Sequence, residues 1–172
     1  MKKQDLFPTP LWHVEGTPQK LVDDLYQGAY RFKDNYESVS YSNKGGYQSP
    51  AFKWKDFHPE GRQYMEDVVS NIVQDLYDID WWININGKGH WNAPHTHAAC
   101  DLAIVWYLTD SDGLLTIMNP HAVRFIPLET SVANIDAKKG DIVMFPADAQ
   151  HYVLPNERDS DRISISMNLR LL

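Results

Sequence analysis

Three histidines in the second half of this chain, His95, His97 and His151, have the residue type and the spacing to hold a metal ion. In an extended strand, residues i and i+2 point to the same face, so His95-Thr96-His97 presents two imidazoles side by side. His151 follows Gly140-Asp141-Ile142-Val143-Met144-Phe145-Pro146, a strand-and-turn segment, and can supply a third ligand from a neighbouring strand. Three protein ligands on one side of a divalent ion leave its other positions open, as a catalytic site requires and a structural site avoids. Imidazole suits iron, zinc, copper and nickel, so ligand type alone does not choose the metal. His13, His58, His90 and His121 lack such company and read as ordinary core or surface residues.

A second group lies near the C-terminus. Alternation along Arg162-Ile163-Ser164-Ile165-Ser166-Met167-Asn168 puts Arg162, Ser164, Ser166 and Asn168 on one face. A guanidinium inside a barrel needs a carboxylate partner, because a buried unpaired charge is costly. A bound dicarboxylate would answer that need, bidentate on Arg162 with the Ser164 hydroxyl adding a hydrogen bond. The competing expectation is a surface pair between Arg162 and Asp159 or Asp161.

The elements that must position these groups follow from periodicity. Pro18 at the first position of a helix capped by Thr17, with Leu21, Val22, Leu25, Tyr26, Ala29 and Phe32 at helical spacing, predicts a helix over about 18–34. A second helical pattern runs through Tyr64, Met65, Val68, Val69, Ile72, Val73, Leu76 and Tyr77. From Trp81 the period becomes that of strands: 81–86, 97–108, 114–118, 123–126, 132–135, 141–145 and 163–171, separated by turn residues. The class expected is α+β, a double-stranded β-helix (jelly-roll, cupin-like) with N-terminal helices packed on it. With 172 residues a single domain is expected, a helical layer over about 17–78 and a barrel over about 79–172.

Composition narrows the partners. Sixteen Lys and Arg against twenty-three Asp and Glu give a net charge of −7, and the basic residues are scattered, which argues against nucleic acid. No stretch approaches the roughly 18 apolar residues of a membrane span. A lone Cys100, read as a small buried hydrophobe, rules out an internal disulfide framework and fits a reducing, cytoplasmic setting.

His95-Thr96-His97, then His151, then Arg162-x-Ser164 resembles the pattern of the Fe(II)- and 2-oxoglutarate-dependent oxygenases, where a His-x-Asp/Glu pair, a distal His and a later Arg serve metal and cosubstrate. Asp101-Leu102-Ala103-Ile104-Val105-Trp106-Tyr107-Leu108 is similar to the strand after the metal motif in prolyl-hydroxylase-like members. The resemblance extends to a group of small bacterial and phage oxygenases through Phe7-Pro8-Thr9-Pro10, Ser42-Asn43-Lys44-Gly45-Gly46 and Trp82-Ile83-Asn84. It implies Fe(II) on His95, His97 and His151. It also implies 2-oxoglutarate with its distal carboxylate on Arg162, Ser164 and Tyr107, beside Asn84, and oxidative decarboxylation to succinate coupled to hydroxylation of a substrate. Asn86 and Asn92 could line the same pocket.

One departure stands out: His97 occupies the position usual for a carboxylate. Asp101 shares the parity of 95 and 97 in a regular strand, so its carboxylate could complete the metal site or orient an imidazole from outside; about 13 Å of chain separates it from His97, and the outer role is the one expected.

Other readings compete. His95-x-His97-x3-Asp101 with Gly140-x5-Pro146-x4-His151 is similar to the two cupin motifs, which would imply a three-histidine dioxygenase without 2-oxoglutarate. A non-catalytic barrel binding a metal or a small acid, and a zinc-dependent isomerase, remain open. The substrate expected is a small molecule or a peptide. Residues 35–54 have the composition of a lid or an ordinary connector, and a homodimer through the helical layer is possible.

Overall fold

A computed structural model describes residues 8–111, 115–120 and 131–172. Two helices lead, α1 (Gln19–Asn35) and α2 (Pro59–Val69). In α1, Leu21, Val22, Leu25 and Ala29 recur at helical spacing and are all buried. Pro18 stands just outside the helix, and the Thr17 hydroxyl donates to the Gly140 carbonyl at 2.5 Å, tying the chain to the barrel instead of capping α1. In α2 the expected pattern stops at Val69, short of Tyr77. There Ser70 Oγ and Asn71 Nδ2 both donate to the Asp67 carbonyl at 2.8 Å, a side-chain competition that ends helices. Ile72 and Val73 still pack against the core from the following turn, and Tyr77 already begins a strand.

The strands are β1 (Trp12–Val14), β2 (Asn43–Lys44), β3 (Tyr47–Gln48), β4 (Phe52–Lys53), β5 (Tyr77–Asn86), β6 (Trp91–His95), β7 (Leu102–Tyr107), β8 (Leu115–Met118), β9 (Val132–Ile135), β10 (Ile142–Pro146), β11 (His151–Val153) and β12 (Arg162–Leu171). One sheet has the order β1-β10-β7-β12-β5-β3, with β4 also on β5, and the other β2-β6-β11-β8-β9. All pairings are antiparallel. This is the expected jelly roll, a double-stranded β-helix carrying two helices on the larger sheet.

Alternation sorts the larger sheet into two faces. Ile79, Trp81, Ile83 and Ile85 of β5, Ile104 and Trp106 of β7, Ile142 and Met144 of β10, and Ile163, Ile165, Met167 and Leu169 of β12 form one core with α1 and α2. Ala103, Tyr107, Val143 and Phe145 face the other way and join Leu115 and Ile117 of the smaller sheet. Each fully buried Ile or Leu contributes about 1.5–3 kcal/mol, so the helix-facing core carries most of the fold.

Several expected boundaries moved. The stretch 35–54, expected as a lid or connector between the helices, contains β2, β3 and β4, which complete both sheets. The strand expected over 97–108 is shorter, running from Leu102 to Tyr107 as β7, and His97 lies in the loop between it and β6, which ends at His95. Ala99 between them has φ 58°, a left-handed conformation that interrupts extended chain. Cys100 accordingly lies half-buried in that loop and not in the core. The strand expected over 123–126 lies outside the described residues.

Candidate active site

The three histidines meet at the mouth between the sheets. His95 pairs with His151 across β6 and β11, and His97 is held just past β6 by its backbone N–H on the Ala147 carbonyl at 2.8 Å. Their available ligand atoms lie within 4.8 Å of one another, the one such His/Cys/Asp/Glu group among the described residues. The outward nitrogens are engaged: His95 Nδ1 with the Ala93 carbonyl at 2.8 Å, His151 Nδ1 with the Ala149 carbonyl at 2.9 Å, and His97 Nδ1 with Asn168 Oδ1. A carbonyl only accepts, so His95 and His151 carry their protons on Nδ1 and turn Nε2 lone pairs inward. His97 Nε2 and His151 Nε2 stand 3.3 Å apart. Burial depresses the pKa of all three imidazoles, that of His151 to about 3, which favours the neutral, ligating form.

Asp101 does not take part. Its carboxylate accepts the Leu171 backbone N–H at 2.8 Å, and the left-handed Ala99 has broken the strand parity that would have aimed it at the imidazoles. Asn168 occupies the outer position expected of Asp101.

The inward face of the larger sheet forms a polar wall behind the histidines. Register sets Gln48, Asn84, Ser164 and Tyr107 in one row across β3, β5, β12 and β7, with Asn86 opposite Arg162 and Trp82 opposite Ser166 in the flanking rows. All of these side chains and the three histidines line a cavity of about 750 Å³. Asn84 Nδ2 donates to Ser166 Oγ at 2.9 Å, and Asn86 Nδ2 to Asn92 Oδ1 at 3.2 Å. The Oδ1 atoms of Asn84 and Asn86 are buried without a hydrogen-bond partner among the described residues. Gly46 leaves room for the Asn86 amide, because a Cβ there would stand 1.9 Å from Asn86 Oδ1 and displace that side chain.

Arg162 is 4% exposed, and Nη1 donates to the Leu154 carbonyl at 2.9 Å. No carboxylate among the described residues pairs with it. Asp159 pairs with Lys88 at 2.7 Å, and Asp161 accepts from the Tyr30 hydroxyl at 2.9 Å, so neither anticipated surface partner is used. Burial lowers the Arg162 pKa and raises that of Tyr107 well above the ordinary phenol value, so the Tyr107 hydroxyl keeps its proton as a donor.

A mouth of convergent imidazole lone pairs above a buried, unpaired guanidinium is a site for a cation and a carboxylate together. The sequence profile of the family described as "Putative 2OG-Fe(II) oxygenase" matches residues 80–168, just over half of the chain. The chain belongs to this 2OG-Fe(II) oxygenase family. Its cofactors are therefore Fe(II) and 2-oxoglutarate. No curated protein matches the sequence.

Solved oxygenase structures share the fold at low identity. A prolyl-4-hydroxylase from Pseudomonas putida has a TM-score of 0.71 at 16% identity, covering 95% of this chain and 94% of that one. HygX from Streptomyces hygroscopicus, solved with nickel and 2-oxoglutarate, has a TM-score of 0.72 at 11% identity, covering 95% and 83%. A Trichoplax adhaerens prolyl hydroxylase in complex with a hypoxia inducible factor peptide fragment has a TM-score of 0.67 at 13% identity, covering 93% and 83%.

The residues of this oxygenase suit both groups. Two Nε2 atoms 3.3 Å apart are brought together either by a proton on one of them or by a cation that both ligate, and a buried guanidinium requires an anion. Sequence reasoning had brought His95, His97, His151, Arg162, Ser164, Tyr107 and Asn84 forward, and all of them line the one cavity. It gave Asn168 no role, although alternation had already placed it on the Arg162 face. Gln48 carried no readable signal, since it sits in a two-residue strand. The remaining histidines have ordinary work: His13 bonds Asp141 at 2.9 Å, His58 caps α2, and His90 accepts from the Gly87 N–H at 3.0 Å. His121 lies outside the described residues.

Proposed function

We propose that His95, His97 and His151 hold the iron of this oxygenase through Nε2. In the same reading Arg162, Ser164 and Tyr107 bind the distal carboxylate of 2-oxoglutarate, with Asn84 beside them. The observation that carries it is Arg162, buried at 4% exposure with no carboxylate partner among the described residues, in the cavity that the three imidazoles open onto. When bound, Fe(II) and 2-oxoglutarate would activate dioxygen, the oxidant: one oxygen atom goes to the succinate formed from 2-oxoglutarate with loss of carbon dioxide, and the other to the substrate C–H bond that becomes hydroxylated.

The protein's part is placement. Arg162 and the protonated Tyr107 offer donors to one end of a five-carbon diacid, and Ser164, between Tyr107 and Asn84 in the sheet, adds a hydroxyl. Leu154, whose carbonyl orients the guanidinium, lies three residues beyond His151, about 10 Å of extended chain, so carboxylate and metal subsites are separated along one wall. Phe145 packs edge-on against the His151 ring at 4.7 Å and Trp82 lies 5.7 Å from the His97 ring, apolar surfaces that exclude water from the ligands.

The substrate belongs to the small molecules or peptides, with nucleic acid disfavoured by the net charge of −7. A soluble, cytoplasmic enzyme with hydroxylase activity fits these features. Among the described residues no helix is long and apolar enough to cross a membrane.

The test is succinate formation from 2-oxoglutarate by anaerobically Fe(II)-loaded protein exposed to oxygen, comparing the native chain with His151→Ala and Arg162→Ala. Turnover that disappears in both variants is expected. Turnover that survives Arg162→Ala would overturn the carboxylate assignment, and turnover that survives His151→Ala the metal assignment.

A further inference from the structure

The three imidazoles are not fixed in the same way. His95 and His151 each engage a carbonyl two residues earlier in their own segment, Ala93 and Ala149, so local backbone sets which nitrogen carries the proton. His97 has no such carbonyl. Its Nδ1 meets the Asn168 side chain, 71 residues away on β12, and this is the only one of the three Nδ1 contacts made by a side chain. His97 is also the ligand standing where the family pattern has a carboxylate.

A neutral imidazole carries one proton on either nitrogen, and an amide can meet either form, accepting through oxygen or donating through nitrogen. The two forms differ in what reaches the centre. With Nδ1 protonated, the Nε2 lone pair faces the His151 Nε2 at 3.3 Å and both can ligate. With Nε2 protonated, His97 becomes a hydrogen-bond donor to His151 and one ligand is lost. Resting on the assignment of the three imidazoles as metal ligands, we infer that Asn168 is a positioning residue whose side-chain oxygen accepts the His97 Nδ1 proton and thereby turns Nε2 toward the ion. Asn168 is half-buried on the cavity wall opposite Asp80 and Ala103, so its side chain is confined to this meeting. As a neutral acceptor it keeps the whole protein donor set uncharged. An aspartate there would accept the same proton and return, one group further out, the negative charge that a carboxylate ligand gives the family pattern.

The experiment measures Co(II) affinity by metal competition in native protein, Asn168→Ala, Asn168→Asp and His151→Ala, together with the His97 Nδ1–H proton resonance of the Zn(II)-loaded forms. Asn168→Ala is expected to bind cobalt about 10–100-fold more weakly and to lose the slowly exchanging His97 Nδ1–H signal. Asn168→Asp is expected to keep the signal and bind at least as tightly as the native chain. Loss of affinity below tenfold in Asn168→Ala with the signal retained would overturn the inference. So would cobalt lost equally from Asn168→Asp in a protein of native thermal stability, since the acceptor would then not be what matters. Cobalt bound equally by native and His151→Ala protein would instead refute the metal assignment beneath it.

Discussion

Strand β12 presents two faces that obey opposite rules. Toward the helices it shows Ile163, Ile165, Met167 and Leu169, all buried in one apolar core. Toward the cavity it shows Arg162, Ser164, Ser166 and Asn168, beside amide oxygens on β5 that are buried without partners among the described residues. The first face is what a sheet needs to fold, because each buried aliphatic side chain gains free energy from leaving water. The second works against folding, since an unpaired buried guanidinium and orphaned carbonyl oxygens lose hydration without full replacement. In the proposed reading, the carboxylate of 2-oxoglutarate completes this second face. Stability and function are thus separated by the pleat of a single strand.

Breaking each face separately gives the largest contrast. His151→Ala, on the cavity side, is expected to lower Co(II) affinity by more than about 100-fold, because one of the three proposed ligands is gone, while the metal-free protein melts within a few degrees of native. Titration with cobalt and a thermal melt of the same sample check both halves. Ile165→Ala, on the helix side, should cost about 2–5 kcal/mol by denaturant unfolding through the cavity it leaves, and the surviving folded fraction should bind cobalt with native affinity. If the first variant unfolds or the second loses the metal, the two faces are not independent.

The same division explains what the sequence could announce. The helix-facing residues repeat with the simple periods of helix and strand, so the jelly roll and its larger sheet were legible from Trp81 to Leu169. His95, His97 and His151 stood out because residue type and spacing coincide. Asp101 misled for a physical reason: parity arguments assume a regular strand, and a left-handed alanine at position 99 invalidates them. The short strands β2, β3 and β4 were invisible because two residues carry no period, yet they bring Gln48 to the cavity and Gly46 against Asn86. Asn168 was legible in position and not in role, since its significance depends on a histidine 71 residues away.

Acid should sharpen the contrast more gently. Burial holds the His151 pKa near 3, below the ordinary 6.5, and lowers those of His95 and His97, so the unfolded chain takes up protons that the folded one refuses. Stability from this source is fully present above about pH 6.5 and falls progressively as the pH drops toward 3, by about 1 kcal/mol per pH unit for a single such group. Denaturant melts of metal-free protein at pH 7, 6 and 5 should show that decline. Replacing His151 with Ala should flatten it, whereas Ile165→Ala should shift the whole curve down without changing its slope.

The smallest stability effect is expected at the residue with the largest charge. Replacing Arg162 with Met removes a guanidinium that is desolvated and faces no carboxylate among the described residues, and fills the same channel with an apolar side chain. Against that gain stand the hydrogen bonds of Nη1 to the Leu154 carbonyl at 2.9 Å and of Nη2 to the His90 carbonyl at 3.5 Å, a good bond from a charged donor being worth about 1.5–3 kcal/mol. The two terms oppose each other, so unfolding of the metal-free protein should change by less than about 1 kcal/mol in either direction. An arginine that holds the fold together would behave otherwise, because breaking a buried ion pair costs about 3–5 kcal/mol. The same variant, titrated with 2-oxoglutarate in the presence of Co(II), should bind at least about 30-fold more weakly, as truncation of a buried charge-paired contact costs about 2 kcal/mol or more. Near-native stability together with lost cosubstrate affinity would place Arg162 wholly on the functional side of the strand; a large loss of stability would return it to the fold.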